Sequence, residues 1–158
     1  MQATAQVTPP KVVHTIPATI NLQEEVKNAH KQLRVAAYCR VSTKQEDQLN
    51  SYDVQRRAYT DKINGEPGWT MVGIYADKGI TGTSVKKRDD FNRLMRHCKR
   101  GKVDMIITKS VARFARNTLD CLKHTRMLKE HNVDVYFEEQ GIHSIQPGAE
   151  FYITIYGS

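Results

Sequence analysis

The chain has 158 residues, of which 39% are hydrophobic and 26% are charged, as is typical of one soluble globular domain with its own hydrophobic core. Its formal net charge is +7, and the location of this charge along the chain matters more than its size. No apolar run approaches the roughly 18 residues that a membrane span needs, and no basic stretch followed by an apolar core opens the chain. We therefore predict a cytoplasmic protein rather than a membrane or secreted one.

The cysteines and histidines show no metal-binding pattern. There are three cysteines and six histidines, without a CxxC, HxxxH or HxH spacing. An odd number of cysteines with no framework indicates reduced thiols in a cytoplasmic protein. We predict neither a metal ion nor another cofactor.

In chain order, residues 1–32 carry three prolines and little periodicity, and we predict a flexible N-terminal arm. The apolar run 33–38 predicts a buried strand, closely followed by Arg40 and Ser42. In a parallel α/β sheet, ligands and chemistry lie at the carboxyl ends of strands. Ser42 is therefore either a nucleophile beside a phosphate-binding cation or, like most serines after a strand, a turn residue or helix cap.

Strands and helices alternate along the rest of the chain. Apolar spacing predicts helices over 48–64, 89–100 and 117–131, and strands over 69–75, 105–107 and 133–137. Gln55 falls near the helix face that points toward the sheet, and Leu119, Leu122 and Leu128 are expected to pack inward. One helix between successive strands requires right-handed crossovers. The fold class is therefore α/β, a three-layer domain whose mostly parallel sheet has four to five strands and helices on both faces.

Basic residues concentrate between positions 86 and 102, where there are eight against two acids. Such a cluster favours nucleic acid, whereas a lone basic run is more often a solvated helix face. One alternative is therefore a non-catalytic α/β module that binds nucleic acid through Arg93, Arg96 and Arg100. Another is a small flavodoxin-like nucleotide-binding domain, weakened because the chain contains no GxGxxG or GxxxxGK[ST] run.

Three segments at carboxyl strand ends bring polar groups to one predicted edge of the sheet. They carry Arg40 with Ser42, then residues 77–88, then Arg113 with Arg116. Several guanidiniums around one hydroxyl suit phosphoryl transfer, because they bind the non-bridging oxygens and stabilise the charge on a five-coordinate phosphorus. Each arginine alone is more often a surface charge, and it is their joint placement that favours a site.

Four motifs in series resemble the catalytic domain of the serine recombinases, the resolvase/invertase family. They are residues 38–43 (Tyr-Cys-Arg-Val-Ser-Thr), Gln55, residues 77–84 with Arg88, and residues 110–117 (Ser-Val-Ala-Arg-Phe-Ala-Arg-Asn). The last motif is most like the large-recombinase and transposon integrase branch. The resemblance implies a resolvase-like catalytic domain over 33–147, followed over 148–158 by the start of a truncated long helix.

The resemblance also implies the chemistry. Ser42 would attack a DNA phosphodiester and form a 5′-phosphoserine linkage with release of a 3′-hydroxyl. Strands would then be exchanged and rejoined without metal or nucleotide cofactor, in the integration or excision of a mobile element. The implied partners are double-stranded DNA and further copies of the chain, as a homodimer and a synaptic homotetramer of the full-length protein. The implied phosphate-binding residues are Arg40, Arg88, Arg113 and Arg116, with Gln55 and Asp77 in support.

Two features need separate mention. Where many small resolvases have an acidic residue just before the first arginine of the last motif, this chain has Ala112. Residues 151–156 alternate in a strand-like pattern, whereas the resemblance favours a helix, which we adopt. Since the family's DNA-recognition domains normally follow this region, we expect the 158-residue chain alone to be poorly active or inactive.

Overall fold

The computed structural model describes residues 31–42, 52–79 and 88–157. The chain divides into two compact units, Met1–Lys31 and Gln32–Ser158, and the architecture below is that of the second. All but the last two positions of the predicted N-terminal arm lie outside the described residues. The first turn of the first predicted helix and the glycine-rich segment after Lys78 lie largely outside them as well.

Five strands form one sheet in the described part of the chain. Their order across the sheet is β2-β1-β3-β4-β5. The first four are mutually parallel, and β5 runs antiparallel to β4. The predicted α/β class with a mostly parallel sheet of four to five strands is therefore confirmed. The strands are β1 (Leu33–Ser42), β2 (Trp69–Gly79), β3 (Met105–Thr108), β4 (Asp134–Phe137) and β5 (Ile142–His143).

Helices cover both faces of this sheet. They are α1 (Tyr52–Gly65), α2 (Asp89–Lys99), α3 (Val111–Phe114), α4 (Thr118–Glu130) and α5 (Ala149–Tyr156). The chain moves from β1 to β2 in one direction and from β2 to β3 in the other, so right-handed crossovers place α1 and α2 on opposite faces. Successive β1 residues then enter two separate cores. One core joins Val35 and Ala37 to Ile63 of α1, and the other joins Ala36 and Tyr38 to Leu94 of α2 and Leu128 of α4.

The strand order reverses at β1. In doubly wound sheets ligands bind in the crevice outside the carboxyl ends of the strands at such a switch point, and we use the word crevice for that edge of the sheet. Here β1 pairs with β3 only from Val35 to Tyr38 but continues beside β2 as far as Ser42. β1 and β2 are therefore longer than predicted, because their parallel pairing continues through the polar residues at their carboxyl ends. Arg40 of β1 and Asp77 of β2 lie opposite each other in this pairing.

The inward face of α4 differs from the predicted one. Leu128 is buried and Leu122 packs partly buried against the core, as predicted. Leu119, however, is 77% exposed, and the other buried positions are Cys121 and Thr125. Asn117 caps the helix by accepting from a backbone N–H of its first turn, and this start sets the phase of the helix. The leucine spacing alone gave the wrong face at the first turn.

The end of the chain is helical, as the resemblance favoured. α5 buries Ala149 and Ile153, which are one helical turn apart. Phe151 and Tyr152, which lie between them, are exposed, as are Ile155 and Tyr156. Whether α5 begins a longer helix stays a prediction. Within the described residues, no helix is both long and apolar enough to cross a membrane.

Candidate active site

The four arginines singled out in the sequence influence one another electrostatically. Arg40 is half-buried near the end of β1. Burial lowers the pKa of Arg40, and the positive charge of Arg113 lowers it further, followed by those of Arg88 and Arg116. Charges in partly exposed sites act on one another strongly only over short distances. The structure therefore brings all four guanidiniums to one edge of the sheet.

Arg88 is largely enclosed, with only 11% of its side chain exposed. Its guanidinium carbon lies 3.6 Å from the ring centre of Phe91, a cation–π contact. Its Nη2 donates to the Tyr38 hydroxyl at 3.0 Å and to the carbonyl of Phe114. Its Nη1 lies 3.8 Å from Oδ2 of Asp120. These contacts hold the Arg88 guanidinium in a defined position without a bound anion, and we call the residues that make them the Arg88 seat.

Asp77 builds that seat rather than facing open solvent. The Tyr38 hydroxyl donates to Asp77 Oδ2 at 3.0 Å. The same carboxylate accepts from the backbone N–H groups of Asp90 and Phe91, both at 3.0 Å, and so caps the first turn of α2 from a neighbouring strand. Burial raises the pKa of Tyr38 to about 12, so its hydroxyl stays protonated. Asp77 and Tyr38 therefore connect β2 and β1 to the start of α2, beside Arg88.

A short helix carries Arg113, although the sequence predicted a loop there. The Ser110 side chain accepts from the backbone N–H of Arg113 at 3.3 Å and caps α3. Val111 and Phe114, on the same turn, are fully buried and anchor it in the core. Arg113 itself is half-buried and Arg116 is exposed. The turn thus holds one arginine against the crevice and places the other at its rim.

Gln55 belongs to the other face of the sheet. It is half-buried on α1 and lines an open cleft of about 410 Å³ with Tyr59, Lys109 and Glu138, among others. Lys109 directly follows β3, so this cleft adjoins the carboxyl edge from the α1 side. Ser42 is the last residue of β1, in register with Gly79 of β2. Only its backbone is described, and its role and that of Gln55 stay predictions.

Sequence patterns did not identify three residues of this edge: Tyr38, Phe91 and Asp120. Tyr38 sits in an apolar run and Phe91 in an apolar helical stripe, so both look like plain core residues. Asp120 lies in the first turn of a helix, where an acid is common for its effect on the helix dipole. Tyr38 lies 50 positions from Arg88 and Asp120 lies on a different helix, so only tertiary packing reveals that they meet Arg88 beside Phe91. Among the residues the structure describes, no group of three His, Cys, Asp or Glu side chains could hold a metal ion.

Comparison with known proteins identifies the family. Residues 35–158 match the family model of the resolvase N-terminal domain. A resolvase family site-specific recombinase from Streptococcus pneumoniae is similar with 29% identity and a TM-score of 0.61, over 78% of this chain and 85% of that one. No curated protein matches the chain.

Two further solved structures share the fold. The N-terminal catalytic domain of TP901-1 integrase superposes with a TM-score of 0.62 at 22% identity, over 77% of this chain and 90% of that one. The C-terminal catalytic domain of ISC1926 TnpA, an IS607-like serine recombinase, gives 0.53 at 15% identity, over 66% and 70%. Because the family model spans most of the chain and its fold is that of these catalytic domains, the chain belongs to the resolvase family of serine recombinases.

Proposed function

We propose that this domain cuts and rejoins DNA at specific sites through a covalent link to Ser42. The serine Oγ attacks the scissile phosphorus, an Oγ–P bond forms, and the P–O3′ bond breaks. The serine proton leaves to solvent and the departing 3′ oxygen takes one up, giving a 5′-phosphoserine and a 3′-hydroxyl. Attack by a 3′-hydroxyl reverses the step. Because one phosphodiester is exchanged for another, no nucleotide cofactor is needed.

The gathering of arginines near Ser42 is the observation that carries this proposal. Burial is the main cause that lowers the pKa of Arg40, two residues from Ser42 on β1, and the positive charges of three other arginines, Arg113 first, lower it further by repulsion. A phosphodiester would offset that repulsion, and guanidiniums match its non-bridging oxygens in geometry. In the transition state the phosphorus carries more charge on those oxygens, so the same arginines stabilise it more strongly. Removing one such donor typically lowers a rate by about 10²–10³-fold.

The remaining roles follow the same edge of the sheet. In this proposal Arg40, Arg88, Arg113 and Arg116 bind the scissile phosphate. Asp77 supports the phosphate site through Tyr38 and the start of α2, and Gln55 supports it from the α1 side. The substrate is double-stranded DNA, cut by a synaptic homotetramer assembled from homodimers in the cytoplasm. The reaction uses no metal ion, since the arginines supply the positive charge.

The test is a covalent trap on DNA. The natural polypeptide carrying this domain is incubated with its recombination site. The cleaved strand is labelled at its 3′ end and nicked a few nucleotides 5′ of the scissile phosphate, so that the short piece with the new 3′-hydroxyl diffuses away and religation is prevented. We expect an SDS-resistant protein–DNA adduct whose label maps to the peptide of Ser42. Ser42→Ala should abolish the adduct and retain DNA binding, whereas Thr60→Ala on α1, which also deletes a hydroxyl, should leave both unchanged.

Two outcomes would contradict the proposal. Adduct formation by Ser42→Ala would remove Ser42 from the mechanism. Salt-dependent DNA binding by the unmodified protein without any adduct would favour instead a non-catalytic module that binds through the basic face of α2. In that case neutralising Arg93, Arg96 and Arg100 would abolish binding.

A further inference from the structure

One carboxylate lies between two of the four arginines of the site. Asp120, in the first turn of α4, is 28% exposed, and its Oδ2 lies 3.8 Å from Nη1 of Arg88. The same oxygen accepts from the backbone N–H of Arg116 at 3.4 Å. The backbone N–H of Asp120 donates to the Asn117 side chain at 2.8 Å, which fixes where the helix starts. Asp120 therefore connects Arg88, from the start of α2, to the turn that carries Arg116.

The charge balance of the edge makes this contact important. Of the described acids, Asp120 is the one within ion-pair distance of the Arg88 guanidinium. The other groups that accept from Arg88 are neutral, the Tyr38 hydroxyl and the Phe114 carbonyl. Position 112, beside Arg113, is an exposed alanine and supplies no carboxylate. In this chain a carboxylate reaches the arginines from one helix further along.

His124 contacts the Asp120 carboxylate without neutralising its charge. Its Nε2 lies 3.3 Å from Asp120 Oδ1. Its ring makes a T-shaped contact with that of Phe91, with 4.9 Å between the ring centres, while Arg88 covers the face of Phe91. Burial lowers the pKa of His124, and the charges of Arg88 and Lys123 lower it further against the effect of Asp120. A neutral imidazole donates a hydrogen bond and fixes the carboxylate without cancelling its charge.

The length of the ion pair also matters. At 3.8 Å the Asp120–Arg88 contact is longer than a charge-assisted hydrogen bond, which measures about 2.7–2.9 Å. Asp120 thus attracts Arg88 Nη1 without occupying it in a short bond. A phosphate oxygen can accept from Nη1 with little loss of existing bonding, while the guanidinium stays stacked on Phe91.

We propose that Asp120 is a positioning residue that holds Arg88 and the Arg116 turn in place to receive the scissile phosphate, and that offsets repulsion among the arginines until DNA binds. This inference rests on the proposed function. In this role Asp120 contacts the arginines and not the phosphate. Its removal is therefore expected to slow strand cleavage more than it weakens DNA binding.

The test compares Asp120→Asn, which keeps an oxygen for the Arg116 N–H but removes the charge, with Asp120→Glu, which restores it. The control is Asp53→Asn, the same change in the first turn of a helix on the opposite face. We expect Asp120→Asn to reduce the cleavage rate at saturating DNA by about ten- to a hundredfold with unchanged or tighter DNA binding. Asp120→Glu should recover part of the rate, and Asp53→Asn should match the unmodified protein.

A second readout needs no reaction. In the 158-residue chain, the Nε–H signal of Arg88 in a ¹⁵N NMR spectrum should be sharp and protected from exchange, and Asp120→Asn should broaden it while Asp53→Asn does not. An unchanged cleavage rate and an unchanged Arg88 signal in Asp120→Asn would overturn the inference. Equal losses of cleavage rate in Asp120→Asn and in the control Asp53→Asn would overturn it as well. If the unmodified protein forms no adduct, the proposed function and the catalytic part of this inference fail together, whereas an Arg88 signal that still responds confirms the ion pair.

Discussion

Removing the Tyr38 hydroxyl tests how the arginine seat contributes to stability. Tyr38 has no exposed surface. Its hydroxyl donates to Asp77 Oδ2 at 3.0 Å and accepts from Arg88 Nη2 at 3.0 Å. Tyr38→Phe keeps the ring against Phe91 and Phe114 and deletes only these bonds. Hydrogen bonds to charged groups contribute about 1.5–3 kcal/mol each. Since Asp77 keeps two backbone donors of α2 and Arg88 keeps a carbonyl, we expect a net loss of about 2 kcal/mol.

The measurement is urea unfolding followed by circular dichroism. The free energy of unfolding extrapolated to water should fall while the m-value stays constant, because the folded and unfolded states expose the same surface as before. Tyr52→Phe on α1 is the matched control: Tyr52 is 41% exposed, and its change should stay within about 0.5 kcal/mol. If Tyr38→Phe proved as stable as Tyr52→Phe, the hydroxyl would not hold Asp77 and Arg88 together as described.

Two further predictions concern the core. Burial raises the pKa of each cysteine thiol to about 12, so we expect no reaction with a thiol reagent at pH 8 until the chain unfolds, and rapid labelling of the folded protein would contradict this burial. Because these folded-state pKa values exceed the unfolded ones, the associated stability is complete below about pH 8.5 and is lost as the pH rises toward 12. Leu128→Ala should destabilise the chain by about 2–5 kcal/mol, whereas Leu119→Ala should change unfolding by less than about 0.5 kcal/mol, and equal effects in calorimetry would contradict the burial pattern of α4.

The alternation of strands and helices was enough to predict the fold class, because right-handed crossovers leave few arrangements of a parallel sheet. The convergence of Arg40, Arg88 and Arg113 could be predicted for the same reason. The role of Asp77 in the seat could not. Its bonds to the backbone of α2 span 13 and 14 positions, and no local pattern reveals which strand end will meet which helix start.

β5 was missed for a different reason. Ile142 and His143 are too few residues to show any periodicity. The strand is held instead by one buried carboxylate at the start of β4: Asp134 lies 2.5 Å from His143 Nδ1 and accepts from the Ser144 hydroxyl at 3.2 Å. Gly141, at a φ of +61°, turns the chain back toward β4. Such a device depends on tertiary contacts rather than on the sequence of the strand itself.

The two basic regions of the chain differ physically, and the difference favours the crevice as the reactive site. On α2, Arg93 is 48% exposed and pairs with Asp90 on its own helix at 3.2 Å, as is typical of a solvated helix surface, although its guanidinium also lies 4.7 Å from the ring centre of Tyr75. At the crevice, Arg88 is seated by core aromatics and Arg113 lies on a turn anchored by the buried Phe114. Burial lowers the pKa of Arg40, and repulsion from the like charges that core packing holds nearby lowers it further. An arrangement that opposes its own electrostatics is expected where a fold serves an anionic ligand rather than its own stability.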